Sequence, residues 1–153
     1  MGLLFSLTER KALFQPTPQL DDVPTHCRLG IRVWAMWRVL VVEDDLLQGE
    51  HVSDLLEGEG MEVLGPAATV AAALELLDTT TVDAAILDIR LRNGLCFEVA
   101  RTLRERRIPF LFLTGSVREV LPAELQAVPL LHKPCDPQRL LEVLHDILPA
   151  RTQ

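Results

Sequence analysis

Residues 38–47 read RVLVVEDDLL, and this stretch gives the clearest indication of the fold. Four apolar residues, Val39 to Val42, run directly into three acids, Glu43, Asp44 and Asp45. The β-branched run predicts a short buried strand. Carboxylates that crowd together raise each other's pKa unless a cation intervenes, so the acids at the end of this strand need a reason to be together.

Apolar strands alternate with helices along the rest of the chain. We predict strands over 39–42, 61–65, 84–89, 109–115 and 128–132, with the second strand ended by Pro66. We predict helices over 46–60, 70–77, 97–107, 117–127 and 136–148, the fourth interrupted by Pro122. Four of the five strands are apolar on both faces, which is typical of a parallel sheet covered by helices. Right-handed crossovers then give an α/β fold with a doubly wound open sheet.

Helix ends and helix faces follow from the same pattern. Polar side chains that precede helices predict N-caps at Asp45, Thr69 and Asp136. Pro137 is expected at the first position of the last helix. In the first predicted helix, the residues that we expect on the inward face recur at helical spacing. They are Leu46, Gln48 or Gly49, Val52, Leu55 and Leu56.

The predicted strands end in residues that suit a metal and phosphate site. Glu43 and Asp44 follow the first strand, Asp88 the third, Thr114 the fourth and Lys133 the fifth. Each alone could be a capping or solvated residue, but open α/β sheets place their sites at the carboxyl ends of the strands. Mg²⁺ prefers one or two carboxylates, water and a phosphate oxygen. The sequence therefore predicts a cation site there.

Composition excludes several classes of function. The 153 residues suit one domain, and the net charge of −7 argues against nucleic-acid binding through phosphates. No apolar run approaches the ~20 residues of a membrane span. The three cysteines form no CxxC pair, which favours a reduced, cytoplasmic protein.

Four motifs occur in order at the strand ends: VLVVEDD, LDIRL, FLTGS and HKP. Together they resemble the receiver domain of two-component response regulators (CheY-like), over residues 38–149. The resemblance implies the flavodoxin-like strand order 2-1-3-4-5 with helices on both faces. It assigns residues 37–150 to the receiver domain. The proline-containing residues 1–36 are then a flexible N-terminal arm, or translation begins at Met36.

The resemblance also implies a role for each site residue. Asp88 is the phosphoacceptor, and its phosphoryl group comes from a histidine kinase or a phosphotransfer protein. Glu43, Asp44 and Asp88 hold Mg²⁺, with the backbone carbonyl of Arg90 as a further ligand. Lys133 pairs with Asp88, Thr114 donates its hydroxyl to a phosphoryl oxygen, and the Lys133–Pro134 peptide is cis.

The chain departs from the usual receiver pattern on the fifth strand. Leu130 stands where receivers usually carry Tyr or Phe, so the aromatic switch is absent. PFLFLTGS at 109–116 is similar to the PFxFATGY pattern of a subset of standalone receivers. In that subset we expect the loop after the fourth strand to carry the response to phosphate.

We therefore expect a standalone receiver without an output domain, which signals by altered binding to a downstream protein or acts as a relay or sink. Beyond self-phosphorylation and self-dephosphorylation, no enzyme activity is expected. The alternatives are a pseudo-receiver that is not regulated by phosphorylation, a flavodoxin-like cofactor binder and an aspartyl phosphohydrolase. EDD would repel the phosphate of a cofactor, and Asp88 lacks the second acid of a DxD motif.

Overall fold

The computed structural model describes residues 37–115 and 121–150. The proposed arm at 1–36 lies outside these residues. The elements, in chain order, are β1 Arg38–Val42, α1 Leu46–Gly58, β2 Glu62–Ala67, α2 Val70–Thr79, β3 Ala84–Leu87, β4 Arg90–Leu91, β5 Gly94–Leu95, α3 Phe97–Glu105, β6 Phe110–Thr114, a 3₁₀ turn Ala123–Leu125, β7 Leu130–His132 and α4 Pro137–Ile147.

Five strands form one parallel sheet in the order β2-β1-β3-β6-β7. The strands β1, β2, β3, β6 and β7 correspond to the first to fifth predicted strands. Their order in the sheet is therefore the predicted order 2-1-3-4-5, which confirms the predicted fold. Every residue of β3 and β6 is buried, as expected for central strands covered on both faces.

Alternate residues of the central strands face two separate apolar layers. Leu40, Leu87 and Phe112 pack in one layer with the buried faces of α2 and α3. Val41 and Ile86 pack in the other layer with α1 and α4. Because the described helices cover both faces, we expect a polar site at the carboxyl ends of the strands and not on a face of the sheet.

The predicted helix caps are confirmed. Asp45 accepts a hydrogen bond from the Gln48 backbone N–H at 3.0 Å, and Thr69 accepts one from Ala72 at 3.1 Å. Asp136 accepts from the Arg139 backbone N–H at 3.2 Å, with Pro137 in the first turn of α4. Each side chain satisfies an N–H that has no partner within the helix.

The prediction that Pro66 ends the second strand is wrong. β2 continues to Ala67, and its register with β1 shifts between Leu40 and Val42. β2 is an edge strand, where a proline without an N–H is tolerated, particularly at an irregularity. Gly65 has a φ of +98°, and a Cβ there would lie 2.7 Å from the carbonyl oxygen of Val41, so only glycine fits.

The third strand is shorter than predicted. It ends at Leu87, and the chain then forms the antiparallel hairpin of β4 and β5. Ile89 and Leu91, which made the pattern look like a longer strand, are buried. They instead anchor a loop that leaves the sheet after Asp88.

Two further expectations are changed by the structure. Leu46, expected on the inward face of α1, is 68% exposed, because the buried face consists of Gly49, Val52, Ser53 and Leu56. The predicted helix at 117–127 is, in its described part, only the 3₁₀ turn after Pro122; residues 116–120 are outside the described part. None of the described helices is long and apolar enough to cross a membrane.

Candidate functional site

Three acids meet at the carboxyl edge of the sheet. A carboxylate oxygen from each of Glu43, Asp44 and Asp88 lies within 4.8 Å of the others. Glu43 and Asp44 follow β1, and Asp88 follows the adjacent strand β3. The predicted convergence of these side chains is therefore confirmed by the geometry.

Backbone hydrogen bonds hold the two strand ends in register. The Glu43 N–H donates to the Ala67 carbonyl at 3.0 Å, and the Asp88 N–H donates to the Val42 carbonyl at 2.9 Å. The Glu43 carboxylate also accepts a hydrogen bond from the Asp45 N–H at 3.0 Å. The acids thus stand on fixed backbone, which keeps them together despite their mutual repulsion.

Lys133 connects two of the three acids. Its Nζ donates to Asp88 Oδ2 at 2.8 Å and also donates to Glu43. The backbone N–H of Lys133 donates to the carbonyl of Thr114 at 3.0 Å, which fixes β7 beside β6. The pairing with Asp88 and the cis Lys133–Pro134 peptide are as predicted, whereas the contact with Glu43 is not.

Thr114 supplies a buried hydroxyl to the same carboxylate. Its Oγ1 donates to Asp88 Oδ1 at 2.7 Å, and the side chain has no exposed surface. The backbone N–H of Arg90 donates to the same oxygen at 3.3 Å. Both oxygens of Asp88 therefore have donors, and the carboxylate is held in one orientation.

Asp44 has a different cationic partner, Arg92. Arg92 Nε lies 3.7 Å from Asp44 Oδ2, and the Arg92 side chain is 82% exposed. Sequence reasoning missed Arg92, because its position depends on the hairpin of β4 and β5. The only available signal was a cationic residue shortly after Asp88.

Burial and charge shift the pKa values in this cluster. Burial raises the pKa of Glu43, and hydrogen bonds from Lys133 and the Asp45 N–H oppose this effect without cancelling it. Burial alone would lower the pKa of Lys133, but its hydrogen bonds to Asp88 and Glu43 outweigh that effect and raise it. Burial, followed by the charge of Asp88, raises the pKa of Cys96 to about 12, so this thiol is neutral.

The donor set fits a hard divalent cation. Three carboxylates supply oxygen ligands, and one partly buried ammonium offsets only part of their charge. Asp44 is the acid that Lys133 does not bridge, and its side chain, 18% exposed, is the most exposed of the three. Mg²⁺ typically uses one or two carboxylates and retains several waters, which a partly exposed site allows. The chemistry of these residues is therefore suitable for Mg²⁺.

A doubly wound sheet whose first and third strands bring acids together at one edge is the architecture of CheY-like receivers. The chain belongs to the response regulator receiver domain family, whose family model matches residues 39–145. It is thus a receiver domain of the two-component response regulators.

Solved structures agree with this assignment. SdrG from Sphingomonas melonis Fr1 is 34% identical with a TM-score of 0.65, covering 74% of this chain and 97% of that one. The chemotaxis response regulator CheY4 of Vibrio cholerae is 27% identical with a TM-score of 0.65, covering 74% and 99%.

Curated relatives are longer proteins. The sensory transduction protein LytT of Bacillus cereus is 34% identical over 113 residues, which cover 71% of this chain and 46% of LytT. The transcriptional regulatory protein PdtaR of Mycobacterium tuberculosis is 30% identical over 79 residues, which cover 51% and 38%. The chain spans less than half of each of these relatives.

Proposed function

We propose that Asp88 accepts a phosphoryl group from a histidine kinase or a phosphotransfer protein in a Mg²⁺-dependent reaction. The observation that carries this proposal is the placement of Asp88. Its carboxylate lies between the Lys133 ammonium and the Thr114 hydroxyl, and one of its oxygens is within 4.8 Å of an oxygen of each of two further acids. This arrangement provides a nucleophile together with groups that neutralise the charge of an incoming phosphoryl group.

The transfer forms one bond and breaks one bond. A carboxylate oxygen of Asp88 attacks the phosphorus atom and forms an O–P bond, while the P–N bond of the donor phosphohistidine breaks. The electron pair of that bond stays on the imidazole nitrogen, which then takes a proton. Phosphoryl transfer depends mainly on positioning and electrostatic stabilisation, and this chain supplies both.

Two residues change partners in this proposal. Lys133 now donates to Asp88 Oδ2, and after transfer it donates to a phosphoryl oxygen. Thr114 Oγ1 now donates to Asp88 Oδ1, and after transfer its proton is directed to another phosphoryl oxygen. Thr114 is buried at the end of β6, so its movement would be transmitted to the loop that follows β6. Position 130 is a leucine and cannot act as an aromatic switch, so in this proposal that loop carries the response to phosphate.

Glu43, Asp44, Asp88 and the backbone carbonyl of Arg90 would hold the cation. When bound, Mg²⁺ neutralises charge on the carboxylates and on the phosphoryl oxygens. Glu43 already accepts hydrogen bonds from Lys133 and Asp45, so a ligand role through water suits it better than direct coordination.

Exposed apolar residues near the site support a protein as phosphodonor. Leu46 and Leu47, which directly follow the first acids, are 68% and 76% exposed, and Leu95 in the hairpin is 46% exposed. Contiguous exposed apolar surface commonly marks protein interfaces, and Leu46 and Leu47 are adjacent in the chain. In this proposal the protein is a cytoplasmic standalone receiver that alters its binding to a downstream protein or acts as a relay or sink. It catalyses only its own phosphorylation and dephosphorylation.

Incubation with phosphoramidate and Mg²⁺, followed by intact-mass spectrometry, tests the proposal. We expect one added phosphoryl group on the wild type and none on Asp88→Asn or in the presence of a chelator. Asp146→Asn, an exposed acid on α4, is the matched control and should be labelled like the wild type. An unlabelled wild type would indicate a pseudo-receiver, and labelling of Asp88→Asn would place the acceptor elsewhere.

A further inference from the structure

Arg92 lies at the tip of a small hairpin that is firmly anchored to the core. Leu91 pairs with Gly94, which leaves Arg92 and Asn93 as the turn. Ile89 is fully buried, Leu91 is nearly so, and the Cys96 N–H donates to the Ile89 carbonyl at 3.1 Å. The base of the hairpin is therefore fixed, and the position of the Arg92 backbone beside the acid cluster is built into the fold.

The ion pair between Arg92 and Asp44 differs from those of Lys133. Arg92 Nε lies 3.7 Å from Asp44 Oδ2, beyond hydrogen-bond distance, and its side chain is 82% exposed. Lys133 makes its contacts with Glu43 and Asp88 from a largely buried position. A long, exposed ion pair contributes little free energy, so the pair between Arg92 and Asp44 can be exchanged easily.

We propose that Arg92 is an exchangeable cation at the phosphorylation site: it pairs with Asp44 until a divalent ion binds, and then contacts the phosphoryl oxygens of the phosphodonor. This inference rests on the proposed function. A carboxylate that binds a divalent ion gives up most of its attraction for a guanidinium. One oxygen of Asp44 lies within 4.8 Å of an oxygen of Asp88, so a guanidinium paired with Asp44 is one carboxylate away from the acceptor.

Arginine suits this second role. Its planar guanidinium can donate two parallel hydrogen bonds to phosphate oxygens, which the point charge of a lysine cannot match. The exposed side chain can also reorient without disturbing the core, because its anchoring residues are in the hairpin base. Arg92 would thus select donors that carry a charged phosphoryl group with accessible oxygens.

The proposal predicts effects of opposite sign on two equilibria. Arg92→Gln removes a positive charge that competes with the ion, so Mg²⁺ should bind about threefold more tightly. The same substitution removes a contact with the phosphodonor, so the KM for phosphoramidate should rise about tenfold with kcat almost unchanged. A residue with only a structural role would not move these two quantities in opposite directions.

Calorimetry with Mg²⁺ alone and phosphorylation kinetics with phosphoramidate test this on the full chain. Arg92→Lys keeps the charge, so it should bind Mg²⁺ like the wild type and recover only part of the donor KM. Arg139→Gln, an exposed arginine on α4 that pairs with Glu142 at 3.2 Å, removes the same charge away from the site and should match the wild type in both.

Two results would each overturn the role of Arg92: unchanged or weaker Mg²⁺ binding by Arg92→Gln, or a donor KM equal to that of Arg139→Gln. Either result, with a wild type that is phosphorylated on Asp88, leaves the proposed function intact. A wild type that binds no Mg²⁺ or accepts no phosphoryl group would overturn the proposed function and this inference together.

Discussion

The ammonium group of Lys133 is shared between two carboxylates, and this sharing sets the electrostatics of the site. Glu43 and Asp88 both accept hydrogen bonds from its Nζ, so neither carboxylate has a full counter-charge to itself. For Glu43 the cost of burial is consequently only partly offset, and its pKa is raised. The site thus has too little positive charge to balance its carboxylates before any cation binds.

The raised pKa of Glu43 predicts a specific pH dependence of stability without metal. Above pH 4.5, the ordinary value, folded Glu43 retains a proton that the unfolded chain has lost. Its contribution to stability is therefore largest below that pH and is lost as the pH rises through the raised pKa. We expect the free energy of unfolding of the wild type, minus that of Glu43→Gln, to fall as the pH rises above 4.5.

Urea unfolding in the presence of a chelator measures this difference. Lys133 stays charged over the whole range, because its pKa is raised from 10.5, so it does not obscure the trend. Glu57→Gln, an exposed acid on α1, serves as the charge-matched control. A difference that grows with pH would show that Lys133 overcompensates the burial of Glu43.

At the scale of single residues, the sequence identified which groups form the site but not all of their contacts. Motif order and strand ends were enough to predict that Glu43, Asp44, Asp88, Thr114 and Lys133 converge. The bridge from Lys133 to Glu43 depends on side-chain conformation across the sheet, which no linear pattern records. Their roles in metal and phosphate binding stay predictions.

Helix α1 is held close to β2 by one glycine. A Cβ at Gly49 would lie 2.9 Å from two ring carbons of Pro66, a distance that real side chains do not adopt. The ring cannot move freely, because its backbone continues β2 at the edge of the sheet. The small size of Gly49 therefore sets how near the helix that follows the acids can approach the strand.

We predict that Gly49→Ala destabilises the protein by about 1 kcal/mol. Alanine favours the helix by up to ~1 kcal/mol, but forcing a methyl group into a packed contact costs about 1–3 kcal/mol. Gly58→Ala is the matched control, because a Cβ at the end of the same helix meets nothing within 4 Å. It should be neutral or stabilising in chemical denaturation, and equal effects of the two substitutions would refute the close packing.

Two strand ends that sequence reasoning placed incorrectly share one cause. Pro66 and Ile89 were interpreted from local propensity, whereas tertiary contacts decide both. Pro66 lies in an edge strand that tolerates it, and Ile89 is buried by a hairpin rather than by a longer strand. Where local and tertiary preferences agree, as at Asp45, Thr69 and Asp136, the predicted helix starts are confirmed.

For the whole molecule, the acid cluster predicts coupling between Mg²⁺ and folding. The unfolded chain does not bring Glu43, Asp44 and Asp88 together, so an ion that binds them stabilises the folded state. At a concentration 100 times the Kd this linkage amounts to about 2.7 kcal/mol. We expect the urea midpoint to rise with Mg²⁺ concentration and to return to its starting value with a chelator.

Asp44→Asn should lose most of this stabilisation by Mg²⁺, because it removes the ligand that Lys133 does not neutralise. Asp54→Asn, an exposed acid on α1, should keep it. If Asp44→Asn responded to Mg²⁺ as strongly as the control, the ion would be acting on the general negative charge of the protein and not at this site.

The bridge from Lys133 to Glu43 joins residues 90 positions apart, across almost the whole described chain. The acids precede the lysine in the chain, so any folding intermediate that lacks β7 also lacks the ammonium that Glu43 and Asp88 share. A shortened product without the last strand would keep the nucleophile but lose its counter-ion. The charge balance of the acid cluster is thus completed only once β7 has joined the sheet beside β6.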